Sequence, residues 1–352
     1  MSTRSDRFFY RLATPADSSQ ILEVMEEGGF SGPISVRYTR RPDPVASLLQ
    51  EGEQVVIPVM VDRDHNRICA FGCCAIRKAY VNGRIIRTGY LTGLKIHPDY
   101  QRKVPHFAAV YRFLHEQTLD QVDLYYTTIL KNNATARKLL EKKRKGMPEY
   151  RPVGTYTVYC FRQGVKTRVP GTRMERGNET GLAAFYASIL PESNLAPADT
   201  ALPGLSKENF YTLRDSGGDI VAACALWNQQ DRKQHIITGY SGAYRWARHL
   251  PLHWLGYPTL PREQEPVDHG NITLLAVKDQ NPQAAACLLH QVAAKNQPCG
   301  FFMAGLMEGH PLEPVLNDLK HIKYQSTLYT VHWEKIPFPL DHRPIQLEVG
   351  LL

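Results

Sequence analysis

Apolar and polar positions alternate along the chain in a way that divides it into two similar halves. Residues 10–14 (YRLAT) read as a first strand, and Thr14, Pro15 and Asp17 supply the start of a helix running to about residue 27. Residues 28–45, with several Pro and Arg, read as a loop. The runs 54–62, 67–81 and 84–96 are rich in β-branched and aromatic residues, and Asn82-Gly83 between the last two is a strong two-residue hairpin signal. They predict an antiparallel meander. Beyond Pro105, at a first helical position, Phe107, Val110, Tyr111 and Leu114 recur at helical spacing to about residue 119. Residues 124–130 then read as a short buried strand, 132–146 as an Asn-capped helix closed by Gly146, and 154–161 as a further strand. The order β-α-βββ-α-β-α-β is an α+β plan, a mixed and mostly antiparallel sheet with helices on both faces.

After an Arg, Gly and Pro-rich linker (162–173) the same order returns. A helix begins near Asn178, and 210–215 with 219–227 form a hairpin through Gly217-Gly218. Residues 271–279 match the long strand, 282–296 its helix, 300–306 the buried strand and 324–333 the last one. Corresponding positions lie roughly 170 to 180 residues apart, the length of a whole domain, which predicts a tandem duplication. The expected organisation is an N-terminal domain at 1–165, a C-terminal domain at 166–335 and a tail at 336–352, whose apolar end predicts packing against a domain. Residues 240–266 interrupt the second meander with aromatics and prolines. They read either as a lid or substrate loop, or as a helical patch packing Trp246 and Trp254 between domains.

Composition sharpens this only in part. Apolar content of 43% with 22% charged residues is that of a folded protein. No stretch approaches the roughly 18 uninterrupted apolar residues of a membrane helix, and the N-terminus lacks the apolar core of a secretory signal, so the expected location is the cytoplasm. Seven cysteines without a CxxC pair give neither a disulfide framework nor a zinc site, and no metal is expected. Cys73 and Cys74, adjacent in a strand, point to opposite faces as small core fillers. The net charge of +8 favours an anionic partner. Eight basic residues between Lys131 and Arg151 face only Glu141 and Glu149, but a nucleic-acid surface would interleave aromatics, and only Tyr150 and Tyr156 are near. No nucleic-acid partner is expected.

The run Leu94-Lys-Ile-His-Pro-Asp-Tyr-Gln101, a helix after it, a strand, and Asn133-Ala-Thr-Ala-Arg-Lys-Leu-Leu140 with Gly146 beyond resemble the GCN5-related N-acetyltransferases (GNAT), in particular bacterial members of tandem two-domain architecture. The likeness covers the first half well and the second mainly through element order, with residues 225–242 also similar. It implies that the long strand and the next parallel strand splay apart, and that acetyl-CoA, as co-substrate, pairs its pantetheine with the backbone of Leu94, Lys95 and Ile96. Its diphosphate would meet amides at the start of the following helix, near Gln101, Arg102, Lys103, Val104 and His106. Asn133 would hold pantetheine or a catalytic water. The implied reaction is direct attack by a primary amine of a small molecule or peptide on the thioester, in a ternary complex. In the family's phosphate cradle, Val104 and His106 stand at glycine positions; Leu140 replaces a frequent Tyr, and Tyr90-Leu91-Thr92 a frequent Glu. No catalytic residue is named on this basis, and the alternative is an inactive GNAT-fold binding or regulatory protein. The second half, with Asp279–Ala284 at the cradle position, is expected to be mainly structural and to complete the acceptor pocket. Loops 28–45 and 240–266 are expected around that pocket.

Overall fold

β-Branched and aromatic runs with hairpin turns dominate the chain, and they assemble into one wide sheet. The computed structural model describes residues 7–101, 107–142, 144–296, 299–333 and 339–352. The first half comprises β1 (Phe8–Leu12), α1 (Ser18–Glu26), β2 (Ile34–Thr39), α2 (Pro44–Leu49), β3 (Gln54–Val56), β4 (Pro58–Asp62), β5 (Arg67–Val81), β6 (Arg84–Ile96), α3 (Phe107–Thr118), β7 (Leu124–Leu130), α4 (Ala134–Leu140) and β8 (Glu149–Phe161). The second comprises β9 (Arg173–Arg176), α5 (Leu182–Ile189), β10 (Ala196–Pro197), β11 (Phe210–Arg214), β12 (Ile220–Trp227), β13 (Gln234–Tyr240), α6 (Tyr244–Ala247), β14 (His269–Val277), α7 (Pro282–Lys295), β15 (Phe301–Met307), α8 (Glu313–Asn317) and β16 (His321–His332). Asn82 and Gly83 turn β5 into β6 at φ 53° and 73°, as the hairpin signal predicts.

Among the described residues a fourteen-stranded sheet runs β1-β4-β5-β6-β7-β16-β8-β15-β14-β12-β11-β9, with β3 and β10 pairing to β5 off this path. The two halves read alike from the outside inward, and each gives its last strand to the other: β16 lies against β7, and β8 against β15. The exchanged strands pair with each other over Glu149–Phe161 and His321–His332, joining the halves by continuous backbone hydrogen bonds. Only β6/β7 and β14/β15 are parallel among these pairs.

The faces of β5 and β6 separate two cores, and the alternation of β5 decides which side chain enters which. Cys73 joins Ile21, Val24, Met25, Val45 and Leu48 under α1 and α2, whereas Cys74 joins Leu91, Tyr111, Leu114 and Ile129 under α3 and α4. Both thiols are buried fillers on opposite faces, as their adjacency in a strand predicts, and burial pushes the Cys73 thiol up to about 12.

Two regions depart from the sequence reading. Within 28–45 the chain forms β2, which pairs with β13 across Ile34–Thr39 and Gln234–Tyr240, and then α2. The alternation Ile34, Val36, Tyr38 carried this signal, but the flanking prolines and arginines masked it. In 240–266, Trp246 and Trp254 are 75% and 81% exposed, so they do not pack between halves. With Leu250 and Leu255 they form an exposed apolar surface around short helical turns. No helix among the described residues is long and apolar enough to cross a membrane.

Candidate functional site

Strands β6 and β7 hold together over three residue pairs only, Thr88–Leu124, Gly89–Tyr125 and Tyr90–Tyr126. Beyond them the strands diverge. On its other side β6 carries a bulge: Cys73 of β5 faces Thr92 and Phe71 faces Lys95, so three steps of β6 oppose two of β5. Gly93 sits in the bulge at φ +67°, a region costly for residues with a Cβ, and an added Cβ would lie 3.3 Å from the Phe71 ring.

The divergence opens a cavity of ≈ 400 Å³ that passes through the sheet. Its walls are Leu91–Lys95 on one side and Thr127–Leu130 on the other. Val110, Tyr111, Leu114, Leu140 and Tyr150 line its α3/α4 end; Met25, Leu48, Phe71 and Cys73 line the α1/α2 end. The walls are largely apolar, with a few placed polar groups. Thr127 Oγ1 donates to the Leu91 carbonyl at 2.6 Å, and Asn133 Oδ1 caps α4 by accepting from Ala136 N at 3.1 Å.

The residues expected at a cofactor site fall into three groups. Leu94, Lys95 and Asn133 line the cavity; Lys95 donates to the Met25 carbonyl, and burial pulls its ammonium down. Ile96 instead packs with Met60, Cys69, Ala70 and Tyr100, off the cavity wall. Gln101 is exposed, its amide bonded to Pro98 O at 3.3 Å. Arg102, Lys103, Val104 and His106 lie outside the described residues. His97, a tempting proton carrier by type, caps the turn Pro98–Tyr100 and accepts from Asp99 N, a structural task.

A second cavity of ≈ 150 Å³ adjoins the first, since Tyr38, Thr128 and Leu130 line both. It lies where the halves meet. Tyr90, Tyr156 and Val158 come from the first half, and Gln229, Lys233, His235, His269 and Asn271 from the second. Tyr90 Oη and Thr128 Oγ1 share a hydrogen bond of 2.8 Å at the junction, and burial pushes the Tyr90 phenol up to about 12, so it keeps its proton. Tyr156 donates to Leu347 O at 3.0 Å and is committed to the tail.

Beneath both cavities lies a buried ion cluster. Glu51 accepts from Arg40 Nη1 at 2.7 Å and Lys233 Nζ at 2.9 Å, with Arg77 Nη2 at 3.8 Å. These cations hold its carboxyl well below the usual range despite burial. Lys233 Nζ also donates to Gly350 O at 2.6 Å, and Arg77 Nη2 to Leu351 O at 2.9 Å, so the cluster fixes the tail. Sequence reasoning missed this group and the second cavity. Its members come from distant segments; the nearest signal was Lys233 just before β13 and His235 within it.

The second half repeats the splay but not the opening. β14 and β15 pair in parallel at His269–Phe301, Gly270–Phe302 and Asn271–Met303, then part. The same bulge follows, with Ala225 facing Thr273 and Ala223 facing Ala276, and Leu274 at the place of Gly93 with φ +52°. Here the tail covers β14. Glu348 Oε2 accepts from Thr273 Oγ1 at 2.7 Å and from Leu274 N at 2.8 Å. Leu347 and Val349 pack with Met303 and Met307 of β15, and Leu351 with Leu274 and Ala276 of β14.

No protein-family model and no curated protein matches this chain. Solved structures do. A GCN5-related N-acetyltransferase from Sphaerobacter thermophilus aligns with TM-score 0.60 at 14% identity, over 95% of this chain and 98% of that one. A GCN5-related glucosamine N-acetyltransferase region of a fungal multi-domain GH3 β-N-acetylglucosaminidase aligns at 0.60 and 15%, over 92% of this chain and 38% of that one. The N-myristoyltransferase of Saccharomyces cerevisiae with bound myristoyl-CoA aligns at 0.56 and 11%, over 98% and 86%. Strand order, paired splays and near full-length alignment agree: the chain has the fold of the GCN5-related N-acetyltransferases.

Proposed function

We propose that the chain is an acyl-CoA N-acyltransferase that moves an acetyl group from acetyl-CoA to a primary amine. The observation that carries the reading is the splay of β6 from β7, which leaves a largely apolar slot bounded by the Gly93 bulge and Asn133. In it pantetheine would lie along Leu94 and Lys95 with Asn133 at its flank, and the phosphates would meet the chain between Gln101 and α3. The similar structures, an N-acetyltransferase and an N-myristoyltransferase with bound myristoyl-CoA, support an acyl-CoA co-substrate. The residues 1–165 form the CoA-binding domain in this reading, 166–335 a degenerate copy, and 336–352 a tail of which Leu347–Leu351 occupy the second splay. The free thiols suit the reducing cytoplasm.

The chemistry needs little from side chains. The amine nitrogen attacks the thioester carbon; the C–N bond forms, the C–S bond breaks, and the proton lost by the amine ends on the departing thiolate. A backbone amide of the bulge polarises the carbonyl oxygen. Tyr90, protonated and at the junction of the two cavities, is the group assigned to relay that proton, giving its own to the thiolate and recovering one from the attacking nitrogen.

The test is incubation with acetyl-CoA and longer acyl-CoAs plus an amine panel, reading thiol release and the acylated product by mass spectrometry. Turnover that falls roughly 100-fold in Tyr90→Phe supports the reading. Binding of the CoA ester without product would favour the second reading, a non-catalytic binding protein, which Val104 and His106 at the family's glycine positions suggest. Absence of both sinks the proposal.

A further inference from the structure

The second cavity is an unusual place to leave polar atoms. Among the described residues twelve buried side-chain nitrogens and oxygens have no protein partner, and four of them belong to residues that line this one cavity: Tyr38 Oη, Gln229 Nε2, His235 Nδ1 and Asn271 Oδ1. Gln229 and Asn271 are each 3% exposed, so bulk solvent does not serve them. A buried donor or acceptor without a partner is disfavoured by roughly tenfold or more in equilibrium terms. Four such groups on residues around one cavity call for a partner there, and a polar ligand supplies one.

Their arrangement is informative. Asn271 Nδ2 donates to Gln229 Oε1 at 3.0 Å, and with the two amides bonded to each other one N–H group and one carbonyl oxygen remain as a pair in either joint orientation. A hydroxyl group, which donates once and accepts, satisfies both at once. The Tyr38 and His235 rings pack at 5.3 Å and carry the other two unpartnered atoms, again a hydroxyl-complementary pair. No Asp or Glu side chain lines the cavity, and Lys233 does, already bonded to Glu51 and Gly350 O. A second ammonium on the ligand would meet the Lys233 cation, and the same surroundings favour the reacting amine in its neutral, nucleophilic form.

We propose that this cavity seats the acyl acceptor and that the acceptor is a small primary amine bearing hydroxyl groups and no second positive charge, of the amino-alcohol or amino-sugar class. Its hydroxyls bond Asn271, Gln229, Tyr38 and His235, and its amine faces Thr128 and Tyr90, where the cavity opens on the slot. The inference rests on the acyltransferase reading for the identity of the reacting amine; the polar cavity itself does not.

Three probes of similar size separate the alternatives: 2-amino-1,3-propanediol, its apolar isostere pentan-3-amine, and the diamine putrescine. Saturation-transfer NMR on the full chain is expected to detect the diol amine at a concentration at least tenfold below either competitor. The signal is expected to disappear in Asn271→Leu and Gln229→Met, near-isosteric changes whose folding is checked by thermal melts. If one variant does not fold, the other decides. Equal signals from pentan-3-amine or putrescine, or a diol signal that survives a folded variant, overturn the inference. Calorimetry with acetyl-CoA runs in parallel: diol binding without any CoA-ester binding would refute the acyltransferase reading alone, and CoA-ester turnover onto amines that ignore this cavity would refute the acceptor assignment alone.

Discussion

Gly93 stands at φ +67° over an open apolar slot, whereas its counterpart Leu274 stands at φ +52° with its amide bonded to the Glu348 carboxylate. Both lie in the same bulge, after the same three parallel pairs, on the strand that begins to splay. The geometry of the splay is thus not itself a binding site. In the second half the residues Leu347–Leu351 fill it, with Glu348 supplying a buried carboxylate whose pKa burial raises and Leu347, Val349 and Leu351 supplying apolar cover. In the first half the chain supplies no such segment among its described residues, and the slot stays open. An intramolecular tail offers the edge of β14 what a linear cofactor would offer the edge of β6.

The largest effect expected is on the cluster that clamps this tail. Glu51→Ala leaves Arg40 and Lys233 buried without their carboxylate and should cost about 3 to 5 kcal/mol, read by chemical denaturation. It should also expose the second splay, seen as faster amide exchange at Leu274. Next, Gly93→Leu makes the first bulge like the second. The fold should survive, since Leu274 already adopts this conformation, but CoA-ester affinity should fall by about 100-fold, near 2.8 kcal/mol. Third, Glu348→Ala strips Thr273 Oγ1 and Leu274 N of their acceptor, at about 1 to 3 kcal/mol of stability, without creating a second CoA site. Fourth, Asn133→Ala removes the α4 cap at about 1 kcal/mol and should weaken CoA-ester binding while leaving the tail untouched.

A pH titration sharpens the comparison from another side. The folded-state pKa of Glu51 is depressed from 4.5, so its contribution to stability is present above about that pH and fades as pH falls through and below it. Acid should therefore loosen the clamped tail before it affects the slot. Equal loss of amide protection at Leu274 and Thr92 on acidification would contradict this order.

How much of this was legible in the sequence follows from the range of each interaction. The hairpin at Asn82-Gly83 and the cap at Asn133 are local, and residues a few positions apart announce them. The two copies of the element order are likewise readable from periodicity. The exchange of β8 and β16 is not, because an alternating strand says which face is buried but not which neighbour it pairs with. Nor is the plug: Glu348 in an apolar tail gives no sign that its partners are Thr273 and Leu274, 75 and 74 residues away. The second cavity draws Tyr38, Gln229, His235 and Asn271 from four separate strands or turns, and nothing about their spacing unites them. The expectation at Ile96 came from the resemblance and concerns its backbone, whereas its side chain packs with Met60 and Tyr100, a contact that strand alternation alone does not announce beyond the bulge.

Titration calorimetry of the full chain with acetyl-CoA, repeated on Gly93→Leu and Glu348→Ala, bears most directly on the difference between the two splays. One molecule bound per chain, lost in Gly93→Leu and kept at the same stoichiometry in Glu348→Ala, is the predicted result. Binding that persists in Gly93→Leu, or that vanishes in a folded Glu348→Ala while Gly93→Leu keeps it, would locate the ligand in the wrong half and contradict the account.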